Sequence, residues 1–399
     1  MTESELIIRI AAKGDGVTAS GRHVAGAAPG DLVGPDGSVE RGPHHIDPVC
    51  RHFRTCGGCE LQHCDDAALA DLVQGRVLFA ARSQGLEPEL LAPVHLSPPS
   101  SRRRATLHAV SGGNRAVIGF HEAGSHKLVD LRECHVLAPP LANLIAPLRD
   151  YLSKRKGKYA AEIELALTDQ GVNCAIRNLK VEGLDQIEDL LDLCRLNTLA
   201  RLSLDQGYGP ETFYEPEPVT ITLGGFPVPF PSGAFLQATQ DGEDALTSAV
   251  TGWLGDCTAV ADLFSGLGTF AFALAPKVPV TAVEASRDAV LACNSAAKRY
   301  GVKVEAQHRD LFRSPLRPEE LARFDGVVID PPRAGARAQV EQLALSKVAR
   351  IAYVSCNPLS WCRDAALLAA AGYRLAELRP VGQFRWSTHV ELASLFLKD

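Results

Sequence analysis

No stretch of the 399 residues approaches the roughly 18 consecutive apolar positions that a membrane-spanning helix needs. The longest run, Ala365–Ala371, reads as part of a helix. The N-terminal Met1-Thr2-Glu3-Ser4-Glu5 lacks the basic and then apolar layout of a secretory leader. These absences predict a cytoplasmic protein with no membrane association. Net positive charge is missing too. A formal charge of −6 excludes a chain that coats nucleic acid by charge alone, while leaving room for a local basic patch. No internal repeat and no low-complexity segment is present. With 46% hydrophobic and 22% charged residues, disordered, collagen-like and coiled-coil classes are excluded. This length predicts two or three domains.

Cysteine is the residue in unusual supply. Eleven thiols in a reducing compartment are not a disulfide framework. Cys50, Cys56, Cys59 and Cys64 cluster, and the other seven scatter. Cys50-x5-Cys56-x2-Cys59, with Cys-Gly-Gly-Cys in one tight turn, is a metal signature. Spacing alone leaves zinc and iron–sulfur equal, with Cys64 or His63 as local fourth ligands.

The first 45 residues read as short strands joined by glycine turns, a small β-barrel fragment. A helix follows the cysteines, capped by Asp65 or Asp66, striped by Leu69, Leu72, Val73 and Val77, and closed by Gly85. From Arg102 to about Phe230 strands dominate. Hairpins are expected at Ser111-Gly112-Gly113-Asn114 and at Asp169-Gln170-Gly171, with one helix near Leu184–Cys194 between strands. The basic runs Arg102-Arg103-Arg104 and Lys154-Arg155-Lys156-Gly157-Lys158 are solvated faces or a path for a phosphate backbone.

After Gln237 strands and helices alternate. Strands Ala259–Phe264, Val280–Val283, Val302–Glu305, Gly326–Ile329 and Ile351–Val354 predict a parallel sheet with helices on both faces. Ligands in such sheets bind beyond the carboxyl ends of the strands. The first strand runs into Ser265-Gly266-Leu267-Gly268-Thr269-Phe270, where glycines allow close backbone approach and a helix begins. Glu284, closing the second strand, can accept hydrogen bonds from ribose hydroxyls or serve as a solvated helix cap. The fourth strand ends in Asp330-Pro331-Pro332-Arg333-Ala334-Gly335, a rigid extended turn. The fifth ends in Ser355-Cys356-Asn357-Pro358, where a thiolate can act as nucleophile or simply pack.

In combination, Asp262-Leu263-Phe264-Ser265-Gly266-Leu267-Gly268-Thr269-Phe270, Asp330-Pro331-Pro332-Arg333-Ala334-Gly335, Ser355-Cys356-Asn357-Pro358, His389-Val390-Glu391 and Phe235-Leu236-Gln237 resemble the signatures of the RNA uracil-5-methyltransferases. The resemblance runs over nearly the whole chain. It implies a Rossmann-like class I methyltransferase domain of the α/β class, a mostly β central iron–sulfur domain and a short TRAM-like N-terminal segment. The expected boundaries are 1–45 for that segment, 46–62 with 97–232 for the central domain, 63–96 for a helical segment packing on the catalytic domain, and 233–399 for the catalytic domain.

The resemblance also implies roles. Carbon 5 of uracil is a weak nucleophile until a thiolate adds to carbon 6, and a base must later remove the carbon 5 proton. Cys356 fills the first role and Glu391 the second, with Cys362 read as packing. For S-adenosylmethionine the resemblance assigns Gln237, Phe264, Gly266, Gly268, Thr269, Glu284, Asp310 and Asp330. Arg132-Glu133-Cys134-His135 resembles the segment carrying the fourth ligand of a [4Fe-4S] cluster, so Cys134 joins Cys50, Cys56 and Cys59. The implied enzyme is a monomer acting on RNA with a single-stranded or unfolded target uridine, closest to those that modify 23S rRNA. A tRNA uridine methyltransferase and a catalytically silent RNA-binding or assembly protein are the rivals.

Overall fold

The computed structural model describes residues 4–112 and 115–398. Its contacts divide the chain into two compact units, each assembled from three segments. The first comprises Met1–Val73, Leu96–Glu217 and Phe384–Thr388; the second comprises Gln74–His95, Pro218–Gln383 and His389–Asp399.

The first unit opens with β1 (Glu5–Ile10), β2 (Gly16–Thr18), β3 (His23–Val24), β4 (Leu32–Val33) and β5 (Val39–Glu40), which form one sheet in the order β3-β2-β1-β4-β5. Asp31, fully buried, holds the loops around it. Its carboxylate accepts from the Ala28 and Gly42 amides at 2.8 and 2.7 Å and faces His45 Nδ1 at 2.7 Å. Helix α1 (Asp66–Arg82) starts where Asp65 accepts from the Ala68 amide at 2.9 Å, and it buries the expected Leu69, Leu72, Val73 and Val77. Gly85 follows it with φ +68°. From Gln74 to His95 the chain belongs to the second unit, and this stretch carries the end of α1, the short strand β6 (Leu90–Leu91) and the start of β7 (His95–Leu96).

A six-stranded sheet forms the rest of the first unit. Its strands are β8 (Arg104–Gly112), β9 (Arg115–Gly119), β10 (Ala160–Thr168), β11 (Gly171–Arg177), β12 (Leu199–Asp205) and β13 (Pro210–Tyr214), in the order β13-β12-β11-β10-β8-β9. Both expected hairpins form; Gly113-Asn114 of the first lies outside the described residues. Two helices accompany the sheet, where one was expected: α2 (Pro139–Ser153) and α3 (Leu184–Leu196). Prolines disguised α2. Pro139 and Pro140 occupy its first turn, where a missing N–H costs nothing, and Pro147 lies within it. Leu141, Leu144, Ile145, Leu148 and Leu152 nevertheless keep a helical stripe, buried with Leu107, Ile118, Ile163 and Ile176.

The second unit carries a hairpin of β14 (Thr220–Leu223) and β15 (Phe226–Pro229), then helix α4 (Gln240–Leu254). Alternation follows with β16 (Val260–Leu263), α5 (Thr269–Leu274), β17 (Val280–Glu284), α6 (Arg287–Tyr300), β18 (Val304–His308), α7 (Pro318–Leu321), β19 (Gly326–Ile329), α8 (Arg337–Leu345), β20 (Arg350–Ser355) and α9 (Pro358–Ala370). The unit closes with β21 (Arg374–Gly382) and β22 (Glu391–Leu397). The sheet order is β18-β17-β16-β19-β20-β22-β21-β6. Strands β16 to β20 are parallel, and β22 runs antiparallel to both its neighbours. All four residues of β16 and of β19 are buried, as strands covered on both faces require. The third parallel strand starts two residues later than expected. Gly301, left-handed at φ +64°, ends α6, and the Val302 amide donates back to the Ala297 carbonyl at 3.1 Å.

Among the described residues no helix is long and apolar enough to cross a membrane.

Candidate active site and cysteine quartet

The parallel strands deliver their terminal residues to one edge of the second unit's sheet. β16 ends in the glycine turn, with Phe264 held at φ +62° and Gly266 and Gly268 at +54° and +91°. Such angles are cheap for glycine and strained for phenylalanine. A Cβ at Gly268 would stand 3.0 Å from the Phe272 ring and 3.2 Å from Cys293 Sγ, so a larger residue has no room. Thr269 begins α5. The Phe264 and Phe312 rings lie 5.3 Å apart.

Glu284 is tied to this turn. Its Oε2 accepts from the Gly266 amide at 3.0 Å and its Oε1 from the Ser286 amide at 2.7 Å. A carboxylate has about four acceptor sites, so two remain for a ligand's hydroxyls. Asp310, two residues beyond β18, accepts from the Phe312 and Arg313 amides at 3.0 and 3.3 Å and so closes its own turn. Within β16, Asp262 is fully buried; its Oδ2 accepts from the Ala271 amide at 2.9 Å, while Oδ1 has no partner among the described residues. Burial, and then the nearby Asp330 carboxylate, push its pKa well above the carboxylate range. Ser265 Oγ is likewise buried without a partner among the described residues. A glycine cradle lined by unmatched polar atoms fits a polar cofactor.

At the mouth of β19, burial raises the Asp330 carboxyl to about 7. Gln237, itself buried, donates from Nε2 to Asp330 Oδ2 at 3.4 Å and accepts from Gln383 Nε2 at 3.1 Å. Cys356 follows β20. Ser355 pairs with Leu392 across β20 and β22, and Val381 pairs with Glu391 across β21 and β22. The next step of the first ladder therefore sets Cys356 opposite Glu391. Burial, then the Glu391 and Asp330 charges, push the Cys356 thiol up to about 11, while Arg333 opposes the rise. Cys362 is buried on α9, its thiol donating to the Leu359 carbonyl at 3.3 Å.

Several residues that position this edge escaped the sequence reading. Asn357 caps α9 by accepting from the Leu359 amide at 3.2 Å and donates from Nδ2 to the Arg333 carbonyl at 2.9 Å. Fully buried Asp364 accepts at 2.8 Å from both the Tyr353 hydroxyl and the Ala336 amide. Arg363 donates to Asp364 Oδ1 and to the Ala334 carbonyl, each at 2.9 Å. The loop after β19 is thus clamped to α9. Arg333 also meets His389 Nδ1 at 3.2 Å. Only the Asn-Pro step, a helix-start signal, announced any of this.

The cysteine quartet lies wholly in the first unit. Cys50, Cys56, Cys59 and Cys134 are each partly exposed. The Cys50 loop is tied to the Cys134 segment: the Arg51 amide donates to Glu133 at 2.8 Å and the Arg132 amide to His52 Nε2 at 3.0 Å. The Gly58 amide donates to Cys56 Sγ at 3.4 Å. Burial raises the Cys59 thiol to about 12, and Cys134, Cys56 and Cys50 add to the rise, so all four thiols share one electrostatic neighbourhood. Cys64 stands apart. It is fully buried, and beyond burial only Asp31 and Asp65 act on it. Among the described residues no three His, Cys, Asp or Glu side chains converge on a point able to hold a metal ion. The quartet is gathered but not drawn onto one ion.

The Arg102-Arg103-Arg104 run is not a solvated face. Arg103 is buried, and Arg102 donates to the Arg104 carbonyl at 3.0 Å while its guanidinium lies 5.6 Å from the Phe384 ring. In the second run Lys156 and Lys158 are exposed.

Residues 238–399 match the tRNA (uracil-5-)-methyltransferase family model. An uncharacterized RNA methyltransferase of Zymomonas mobilis is 47% identical over 98% of this chain and 99% of its own. The 23S rRNA (uracil(1939)-C(5))-methyltransferase RlmD of Chromohalobacter salexigens is 33% identical over 90% of this chain and 77% of its own. A crystal structure of Pyrococcus abyssi tRNA (uracil-54, C5)-methyltransferase in complex with S-adenosyl-L-homocysteine superposes with a TM-score of 0.74 at 23% identity, covering 99% of this chain and 100% of that one. The fold is that of the α/β methyltransferases, and the chain is an enzyme belonging to the RNA uracil-5-methyltransferase family.

Proposed function

We propose that the chain forms 5-methyluridine in 23S rRNA through a covalent bond between Cys356 and carbon 6 of the target uracil. The observation that carries this reading is the register that sets Cys356 opposite Glu391, with Asp330 and Arg333 acting on the same thiol. The Cys356 thiolate adds to carbon 6, and the displaced π pair enriches carbon 5. Gln237, Phe264, Gly266, Gly268, Thr269, Glu284, Asp310 and Asp330 would hold S-adenosylmethionine, whose sulfonium would supply the methyl that carbon 5 takes as the methyl–sulfur bond breaks and S-adenosylhomocysteine leaves. Glu391 then takes the carbon 5 proton, the double bond re-forms, and the sulfur leaves with its electron pair. Asp330, raised to about 7, is suited to hold a hydrogen bond to the ring or the cofactor in either protonation state.

Cys50, Cys56, Cys59 and Cys134 are the residues that would hold a [4Fe-4S] cluster. Cys134, Cys56 and Cys50 all act on the Cys59 thiol, so the four thiols share one neighbourhood. Such a cluster would cross-link the first unit, since the reaction above consumes no electrons. The 23S relative and this quartet favour ribosomal RNA over tRNA as substrate.

The test pairs two variants. Glu391→Gln should accumulate a methylated, covalently trapped RNA, seen as a slow band on a denaturing gel. Cys356→Ala should abolish both band and product. Formation of 5-methyluridine by Cys356→Ala would sink the reading, and product on tRNA but not on 23S rRNA would overturn the substrate assignment.

A further inference from the structure

The basic run Lys154-Arg155-Lys156-Gly157-Lys158 takes no part in the reaction proposed above, and the topology of the first unit sets it beside an unusual turn. Strand β10 starts, β11 and β12 end, and β13 starts at one end of the six-stranded sheet, since Glu162 pairs with Arg177, Arg177 with Asp205 and Asp205 with Pro210. Three connections therefore meet at that end: residues 154–159 before β10, 178–183 after β11 and 206–209 between β12 and β13. Arg155 ties the first to the second by donating to the Lys180 carbonyl, and it also donates to the Tyr151 hydroxyl at 3.1 Å. The Val181 amide ties the second to the third by donating to Gln206 Oε1 at 3.2 Å, and the Asn178 amide donates to the Asp205 carbonyl at 3.0 Å.

The third connection is a built turn with an aromatic ring at its tip. Asp205 Oδ1 accepts from the Gly207 and Gly209 amides at 2.9 and 3.2 Å, and the two glycines take φ of +106° and +99°. Such angles disfavour any larger residue. Tyr208, held between them, is 96% exposed, so its ring adds nothing to the core. The charge around it is one-sided. The three connections carry five basic residues, Lys154, Arg155, Lys156, Lys158 and Lys180, against one acid, Glu182, in a chain whose net charge is −6. Of the four lysines only Lys154 is in an ion pair among the described residues, with Asp189 at 2.6 Å. Lys156, Lys158 and Lys180 are exposed.

We propose that this end of the sheet is a docking site for single-stranded RNA, in which a base stacks on Tyr208 and neighbouring phosphates lie against Lys156, Lys158 and Lys180. It rests on the chain's membership of an RNA-modifying family, and not on the choice of ribosomal RNA or on the roles of Cys356 and Glu391. Every base has a flat π face, so a lone ring reads no sequence, and lysines on phosphates read none either. The site holds an unpaired segment of the substrate whatever its bases are. A duplex is a poor occupant, because its bases are already stacked on one another. A protein surface of mixed charge gains little from five basic residues, whereas a polyanion releases counterions at each phosphate they neutralise.

The experiment measures fluorescence anisotropy of the full chain with a short, labelled single-stranded RNA that contains no uridine, so that binding does not depend on the catalytic residues. Tyr208→Ala should weaken binding about tenfold, the loss expected of one stacked base, and should melt with the parent. Tyr208→Phe keeps the ring and should bind within about threefold of the parent. Changing Lys156→Gln and Lys158→Gln together should flatten the salt dependence, taking about 1.4 off the slope of log Kd against log salt, or about 0.7 for each phosphate contact. Tyr208→Ala should leave that slope alone. A duplex made with the complementary strand should bind about tenfold more weakly than the single strand. Parent-like affinity in Tyr208→Ala, or equal affinity for the duplex, would overturn the stacking site and leave a protein as the ring's partner. An unchanged slope in the lysine variant would overturn the phosphate contacts. If Glu391→Gln traps no RNA while Tyr208→Ala still binds weakly, the catalytic reading fails and the docking site stands.

Discussion

Asp330 shows at a single residue how a site conflicts with stability. Its folded carboxyl, at about 7, lies above the ordinary value of 3.8 because burial disfavours the charge. Folding therefore favours the protonated form. That contribution is complete below pH 3.8 and is lost as pH rises through 7, so at neutral pH and above the buried charge weakens the fold. Asp330→Asn keeps the shape without the charge. It should melt higher than the parent at pH 8, with the gap narrowing as pH falls through 7 toward 5, while forming no 5-methyluridine. Calorimetry across that range checks both sign and window; a variant that melts lower at pH 8 would contradict the burial argument. Phe264 belongs to the same class of position, since its left-handed backbone at the end of β16 is strain kept at the proposed cofactor cradle.

At the scale of elements, the clamp between the loop after β19 and helix α9 keeps the nucleophile's surroundings in register. Asp364→Ala would leave the Tyr353 hydroxyl and the Ala336 amide unpaired, at about 1–3 kcal/mol for each buried group. Tyr353→Phe removes one of those bonds and leaves the other intact. Urea unfolding should therefore rank Asp364→Ala well below Tyr353→Phe, and equal stabilities would remove Asp364 from the clamp. This clamp was illegible in the sequence because Asp364 sits in a helix beside Arg363, where a charged pair reads as solvent-facing. Strands β16, β17, β19 and β20 were legible because each is a short apolar run followed by a turn. β21 and β22 were not anticipated, since Arg374, Glu377 and Arg379 break the apolar pattern of the former. Helix α2 was hidden by its own prolines. The residues that carry chemistry were readable from their motifs, whereas those that hold them depend on contacts distant in the chain.

For the whole molecule, the quartet supplies the clearest measurement. Protein purified without oxygen should be brown and carry about four irons per chain. Cys134→Ser should bleach it, whereas Cys64→Ser should not, because Cys64 answers to Asp31 and Asp65 and to none of the other four thiols. Stoichiometric zinc without iron would refute the cluster. The segment Phe384–Thr388 has a different consequence, for synthesis. Domains commonly fold as they leave the ribosome, at roughly 5–20 residues per second. The first unit's other segments are complete at Glu217, but its last piece begins at Phe384. For a time on the order of ten seconds, the nascent chain must therefore carry a nearly finished unit whose place for Trp386, among Leu61, Leu69, Leu72 and Val136, stands empty and apolar. That interval is when the newborn protein most needs a chaperone.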